Sequence, residues 1–324
     1  MNKFKAVVIG CGRIGSEYDE DSKRKVISSH AGAYFNNDKI ELVGVCDLSL
    51  GKAEKAAAKW KTKAYCDIEE MLDEEKPDIV SICTWEESHA EILTKCATHK
   101  PRAIWCEKPI ANSVEVAKKM IGICEENGIK LQVNYLRRFS PLYQEISHFI
   151  KSGRIGKIQK ITGHYGDGLI TNASHLINLV QFFVDEEFTR IKALKSSLKC
   201  RYENDANYAF VAESDTGILF SLIPQNNENY LHVELQIFGE KGAIFLTRSG
   251  FEIKYFEVKD HELFGGYKEL VEQAPPFKNK LSGEFMKEGL EELIGAIENN
   301  SKPICSGEDA LKTLEFVSFC SNNN

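Results

Sequence analysis

Lys5-Ala6-Val7-Val8-Ile9-Gly10-Cys11-Gly12-Arg13-Ile14-Gly15 decides the fold. A short run that is apolar at every position reads as a strand buried on both faces, which belongs in a parallel sheet covered by helices. It ends on G-x-G-x-x-G, and a helical start is expected beyond. In that setting the first glycine makes the tight turn, Gly12 lets backbone approach a pyrophosphate, and Gly15 lets helix and strand pack closely. The helix N-terminus offers unpaired N–H groups to the phosphates. Glycine-rich turns are common; the strand before and the helix after make this one a dinucleotide-binding candidate.

The next strand outward, 42–46 (LVGVC), ends at Asp47, where such a site needs a carboxylate for the ribose hydroxyls. Asp47 stands further from Gly15 than the usual spacing of roughly 20 residues. The segment 17–30, polar in its first half, reads as an inserted loop that absorbs the excess. A carboxylate here repels a 2′-phosphate, so NAD is favoured over NADP. A helix N-cap is the plain alternative for Asp47. Further apolar runs at 79–83, 103–106 and 130–134 alternate with helical patterns at 50–60 and 114–127, giving the βαβ rhythm of a doubly wound α/β sheet.

Near Asn134 the rhythm changes. Runs with partial alternation follow at 157–164, 191–202, 206–213, 217–223, 231–238 and 243–247, several joined by short turns, as in an antiparallel sheet. Helical segments around 172–184 and 285–299 are expected to cover one of its faces. The chain is therefore divided into a dinucleotide-binding domain, 1–134, and an α+β substrate-binding and oligomerisation domain, 135–324. Its 324 residues suit two domains. With 43% hydrophobic and 27% charged residues it is of globular composition. A net charge of −7 argues against nucleic acid or an anionic membrane surface as partner. The ten cysteines are scattered, without zinc or disulfide-scaffold spacing. With no signal peptide and no membrane-length apolar run, a reduced, cytoplasmic protein without a metal site is expected.

Four further segments carry a resemblance. Thr84-Trp85-Glu86-Glu87-Ser88-His89 is similar to a T-P-N-x-x-H turn, and Glu107-Lys108-Pro109 is an E-K-P motif. Asn134-Tyr135-Leu136-Arg137-Arg138-Phe139-Ser140-Pro141 is similar to N-x-x-R-R-F-x-P, and Gly239-Glu240-Lys241-Gly242 to a G-x-x-G hairpin. Together, in this order, the chain resembles the Gfo/Idh/MocA family of nicotinamide-dependent sugar and cyclitol oxidoreductases. It departs from the family at Trp85 and Glu86, in the 17–30 insertion, and in the D-x-G-x-H catalytic segment. That segment aligns with Thr171-Asn172-Ala173-Ser174-His175, so the aspartate is Thr171.

The resemblance implies hydride transfer between nicotinamide and a secondary alcohol or ketone of a sugar, cyclitol or nucleotide sugar. Lys108 and His175 are the candidate catalytic residues at the reacting oxygen. A lysine needs a lowered pKa to act as base near neutrality, and a histidine near a helix N-terminus is disposed to be neutral. Cofactor contacts are expected from Gly10, Gly12, Arg13, Ile14, Gly15, Asp47, Thr84, Trp85, His89, Glu107 and Lys108. Substrate contacts are expected from Lys108, Tyr135, Arg137, Thr171, Asn172 and His175, with Asn178 a softer candidate and one of Arg137 and Arg138 structural. The basic run Lys23-Arg24-Lys25 could hold a substrate phosphate, with His30 and Tyr34 reaching the same mouth, although such runs are usually solvated surface. A homodimer or homotetramer is implied. The alternative is an NAD-binding protein without net dehydrogenase activity, either regulatory or a hydrolase or lyase with a transient redox step.

Overall fold

A computed structural model describes residues 3–228 and 230–322. Its elements run β1 (Phe4–Ile9), α1 (His30–Phe35), β2 (Ile40–Cys46), α2 (Leu50–Trp60), β3 (Lys63–Tyr65), α3 (Ile68–Glu75), β4 (Ile79–Ile82), α4 (Glu86–Thr98), β5 (Ala103–Cys106), α5 (Val114–Glu126) and β6 (Lys130–Val133). There follow α6 (Pro141–Lys151), β7 (Ile158–Tyr165), α7 (Ser174–Phe183), β8 (Phe188–Lys195), β9 (Tyr208–Ser214), β10 (Leu219–Pro224), β11 (Glu234–Gly239), β12 (Gly242–Thr247), β13 (Glu252–Asp260), β14 (Lys268–Gln273), α8 (Phe285–Glu298) and α9 (Gly307–Asn322).

The chain forms two compact units. The first holds the described residues up to Ser140 together with Ser282–Lys312. Its sheet has the order β3-β2-β1-β4-β5-β6, every pair parallel. Val7, Val8, Ile79, Val80, Ile104 and Trp105 are buried, as a sheet covered on both faces requires. The order reverses between β1 and β4, which opens the crevice where such sheets bind ligands.

The expected cut at residue 134 is corrected in two ways. The first unit runs on to Ser140, and the chain later returns to it through α8. Expected over the antiparallel sheet, α8 instead packs beside β6. Gln132 Nε2 donates to Gly289 O at 3.0 Å, and a Cβ on Gly289 would come within 3.0 Å of both Phe139 and Trp105.

The second unit comprises Pro141–Leu281 and the chain from Thr313. Its sheet has the order β14-β13-β12-β11-β7-β10-β9-β8. The pairs are antiparallel except β7 with β10, which run parallel. Inward side chains from Phe188, Phe210 and Phe220 meet Phe316 of α9, with ring centroids 5.0–6.4 Å apart. The other face keeps Val211, Leu219 and Ile223 exposed, and Phe238, Phe245 and Phe256 form a row with centroids 5.3 and 4.6 Å apart.

The strand expected over 191–202 occupies Phe188–Lys195. Beyond it the backbone loops around the Asn207 amide, which donates to Leu198 O and Lys199 O. No helix of the described residues is long and apolar enough to cross a membrane. All ten cysteines are free thiols.

Candidate functional site

The glycine turn is held from both sides. Gly10, at φ +96°, donates its N–H to Cys46 O at 2.8 Å. Cys11 N–H donates to Asp47 Oδ2 at 2.8 Å, and Ser49 N–H to Asp47 Oδ1 at 2.9 Å. Asp47 therefore ties the end of β2 to the turn rather than capping α2, whose N-cap is Ser49. A carboxylate has about four acceptor sites, so two such bonds leave capacity for a ligand. At Gly15 a Cβ would stand 1.9 Å from Gly10 O, whereas at Gly12 it would meet nothing within 4 Å. Arg13 is exposed and Ile14 half-buried on the same turn.

The helix expected after the turn is present in two pieces. Ser16 and Glu17 N–H bond to Gly12 O and Tyr18 N–H to Arg13 O, making a single helical turn. The insertion follows, and then His30 N–H donates to Ile14 O and Ala31 N–H to Gly15 O, both at 3.0 Å. Thus α1 resumes the interrupted helix, which is why the Gly15–Asp47 spacing is long. The loop is organised around Asp19, whose carboxylate accepts from Ser28 N, Ser29 N and Ser29 Oγ.

In the basic run, the Arg24 guanidinium lies 3.9 Å from the Tyr18 ring centre and 3.8 Å from Asp21 Oδ2, while Lys25 Nζ donates to Ser22 O. His30 and Tyr34, expected at that loop's mouth, are instead wholly buried beneath the sheet's end. A residue that resumes a helix points where the helix dictates, not where the loop opens.

After β4, Ser88 Oγ donates to Thr84 Oγ1 at 2.8 Å. Trp85 precedes the first turn of α4 and is 79% exposed. His89, expected beside a cofactor or as a helix-capping residue, is buried, with Nδ1 3.2 Å from Ile110 O and Nε2 3.1 Å from Thr84 O. One of these contacts is a donated hydrogen bond, set by the tautomer, and Cys106 Sγ lies 3.4 Å from Nδ1.

At the end of β5, Glu107 is buried. Burial pushes its carboxyl up, but the hydrogen bond from His30 and the charge that ring carries when protonated, the hydrogen bond from Asn134 and the charge of Lys108 outweigh that and hold it below the usual carboxylate range. Lys108 is half-buried, its N–H donates to Glu107 Oε2 at 3.2 Å, and the Lys108–Pro109 bond is cis. Tyr135 is buried and Arg137 half-buried. Arg138 is the structural arginine of the pair: it meets Asp309 Oδ1 at 2.9 Å and donates to Ile304 O.

The remaining predicted residues lie in the second unit, where β7 leads into a sharp turn with Asp167 at φ 60° and Gly168 at φ 104°. A wide helical turn, Leu169–Ala173, runs straight into α7. Thr171, Asn172 and His175 are half-buried along it. The helical path thus starts before His175, which is not in its first turn, so the dipole argument for a neutral ring loses force. The start is capped by Asp205, a residue the sequence did not single out: its carboxylate accepts from Ile170 N at 3.2 Å and Thr171 N at 2.7 Å. A Cβ on Gly168 would lie 2.0 Å from that carboxylate. Asn172 Nδ2 donates to Gly166 O. Asn178 is buried and donates to Thr313 Oγ1, which makes it a packing residue.

Comparison with known proteins supplies the family. An inositol 2-dehydrogenase of Salmonella typhimurium is 24% identical over 74% of this chain and 72% of its own. The scyllo-inositol 2-dehydrogenase (NAD(+)) of Bacillus subtilis is 24% identical over 99% and 94%. Among solved structures, the UDP-N-acetylglucosamine 3-dehydrogenase GnnA from Acidithiobacillus ferrooxidans shares the fold with a TM-score of 0.77 at 18% identity, covering 99% of this chain and 97% of that one. The WlbA dehydrogenase from Bordetella pertussis, solved with NADH and UDP-GlcNAcA, does so with a TM-score of 0.79 at 20% identity over 100% and 98%. The family described as oxidoreductase, NAD-binding Rossmann fold, matches residues 4–135, and its C-terminal alpha/beta domain matches residues 163–323. The chain belongs to the Gfo/Idh/MocA oxidoreductase family.

Proposed function

We propose that this protein is an NAD-dependent oxidoreductase that moves hydride between nicotinamide and a secondary alcohol or ketone of a sugar, cyclitol or nucleotide sugar. The observation that carries the reading is the Asp47 carboxylate, bonded to Cys11 N–H of the glycine turn in a chain of this family. The residues fit a dinucleotide: Gly12 leaves open space where a side chain would stand, and the negative charge at Asp47 accepts ribose hydroxyls while disfavouring a 2′-phosphate. This supports NAD over NADP. Contacts from Gly10, Arg13, Ile14, Thr84 and the exposed Trp85 complete the proposed cofactor site.

Bound NAD supplies the hydride acceptor. The protein's own share is the hydroxyl proton and the alignment of the reacting carbon. Lys108 is the proposed group that takes that proton or polarises the oxygen, His175 is the second catalytic candidate, and Tyr135, Arg137, Thr171 and Asn172 are the proposed substrate-binding residues. The aromatic row Phe238–Phe245–Phe256 on the sheet's outer face supports self-association as a dimer or tetramer, and the free cysteines suit the reducing cytoplasm.

The test follows reduced-nicotinamide absorbance with NAD and a panel of sugars, cyclitols and nucleotide sugars. Turnover is expected with at least one class. Lys108→Ala should cut it at least about a hundredfold while NADH binding, followed by fluorescence, persists. Full turnover in Lys108→Ala would remove the assignment. Product without net NADH would favour a transient redox step, the second reading that Thr171, in place of the family's aspartate, keeps in view.

A further inference from the structure

The resumed helix delivers His30 to the underside of the Glu107-Lys108 pair. His30 is 0% exposed and each ring nitrogen has a partner: Nδ1 lies 2.8 Å from Ser81 Oγ and Nε2 lies 3.1 Å from Glu107 Oε1. Ser81 Oγ in turn lies 2.7 Å from Tyr34 Oη. Asn134 Nδ2 donates to the same Glu107 oxygen, and the other oxygen accepts the Lys108 N–H. The imidazole packs against the Trp105 indole, centroids 4.2 Å apart and ring planes inclined by 57°.

Counting hydrogens orders this chain. An ionised carboxylate only accepts, so Nε2 carries a hydrogen toward Glu107. Nδ1 then accepts from the Ser81 hydroxyl, and Ser81 Oγ accepts from the Tyr34 hydroxyl. Every polar hydrogen has an acceptor with the ring neutral. A second proton on the ring would turn the Ser81 hydrogen back toward Tyr34. The buried phenol hydrogen would then have no acceptor among the described residues, at a cost of about 1–3 kcal/mol. Burial keeps the phenol itself protonated by raising its pKa.

We propose that Tyr34, Ser81 and His30 form a positioning chain: three uncharged groups in fixed proton order that hold the Glu107 carboxylate ionised and aimed, so that Lys108 works beside a constant negative charge. The proposal rests on the reading in which Lys108 acts at the reacting oxygen. The titratable groups facing Glu107 are His30 from α1, Lys108, and the thiols of Cys83 and Cys106, which burial pushes well up and so leaves uncharged. Asn134 beyond β6 and Met286 of α8, its sulfur 3.6 Å from the Asn134 amide, add no charge.

The experiment uses the full chain with ¹⁵N-labelled histidine. The resonances lost in His30→Gln are expected to report an Nε2–H ring with a hydrogen-bonded Nδ1. In Ser81→Ala that Nδ1 should move to the position of an unbonded nitrogen. In turnover, His30→Gln should shift the acid limb of kcat upward by about one pH unit, because Glu107 would keep the burial penalty without its donor. NADH should still bind, as followed by fluorescence. A purely structural role would lower Tm and leave the limb in place. A doubly protonated ring, an Nδ1–H tautomer or an unmoved limb would overturn the proposal. If His30→Gln does not fold, Ser81→Ala carries the limb measurement, with a shift in the same direction expected. A wild type silent on every sugar would instead sink the functional reading, and the nitrogen spectrum would then decide the proton order by itself.

Discussion

Gly15 is the position with the least tolerance, because a Cβ there would stand 1.9 Å from Gly10 O and 3.3 Å from the Cys83 side chain. Backbone on one side and a buried strand end on the other leave nothing flexible to move. Gly15→Ala should therefore open the turn, lowering stability by roughly 1–3 kcal/mol and NADH affinity at least about tenfold. Thermal unfolding and fluorescence titration check both, and an unchanged affinity would show that the turn is not the cofactor's cradle. Gly10, Gly15, Asp47 and Lys108 were legible in the sequence because each sits in a short motif whose spacing is itself the mechanism. His30 was named only for the mouth of the inserted loop and Asp205 not at all: they reach partners 51 and 34 residues away in the chain. Nothing local marks either residue for that contact, and the insertion had removed His30 from any recognisable distance to the glycine turn.

Helix α8 carries Glu292, whose Oε1 accepts the Ile304 N–H at 2.7 Å and whose Oε2 is buried without a partner among the described residues. Burial pushes this carboxyl up to about 7, only partly offset by the Ile304 hydrogen bond. Its folded pKa is thus above the unfolded value near 4.5, and the native state holds the extra proton between the two. The contribution to stability is therefore complete below about pH 4.5 and is lost as pH rises through about 7. Glu292→Gln should remove that loss, gaining on the order of 1–3 kcal/mol over wild type at pH 8 and little at pH 5. A Tm difference between the two proteins that does not change with pH would contradict it.

The same helix shows where element-level reading stops. An amphipathic pattern declares an apolar face but not which sheet that face will cover, so α8 was assigned to the wrong unit. Strands β13 and β14 were passed over because EIKYFEVKD and KELVEQ are charged and only partly buried, too polar to announce a sheet edge.

For the molecule as a whole, the return of Ser282–Lys312 makes the first unit discontinuous. A fragment ending at Ser140 would lack α8 and leave Trp105, Phe139 and Gln132 without the helix that covers them. It is expected to aggregate or to melt without a cooperative transition in circular dichroism. Joining residues 282–312 to it through a flexible linker should restore cooperative unfolding. Equal cooperativity with and without that segment would show that α8 is dispensable. Two domains and their order could be read from the switch between parallel and alternating strand patterns. The crossing back could not, because the composition of the chain near residue 282 resembles any other loop.

The interrupted helix has one more consequence. Its two halves are joined by His30 N–H to Ile14 O and Ala31 N–H to Gly15 O, so the segment between Ser16 and Ser29 leaves and re-enters the fold at adjoining points. Doubling the length of a loop whose ends already meet costs only about 0.6 kcal/mol in closure entropy. Provided that Asp19 keeps its bonds to Ser28 and Ser29, the stretch between them is a natural splice point: peptide can be lengthened, shortened or exchanged there while the register of His30, and everything hung from it, stays where it is.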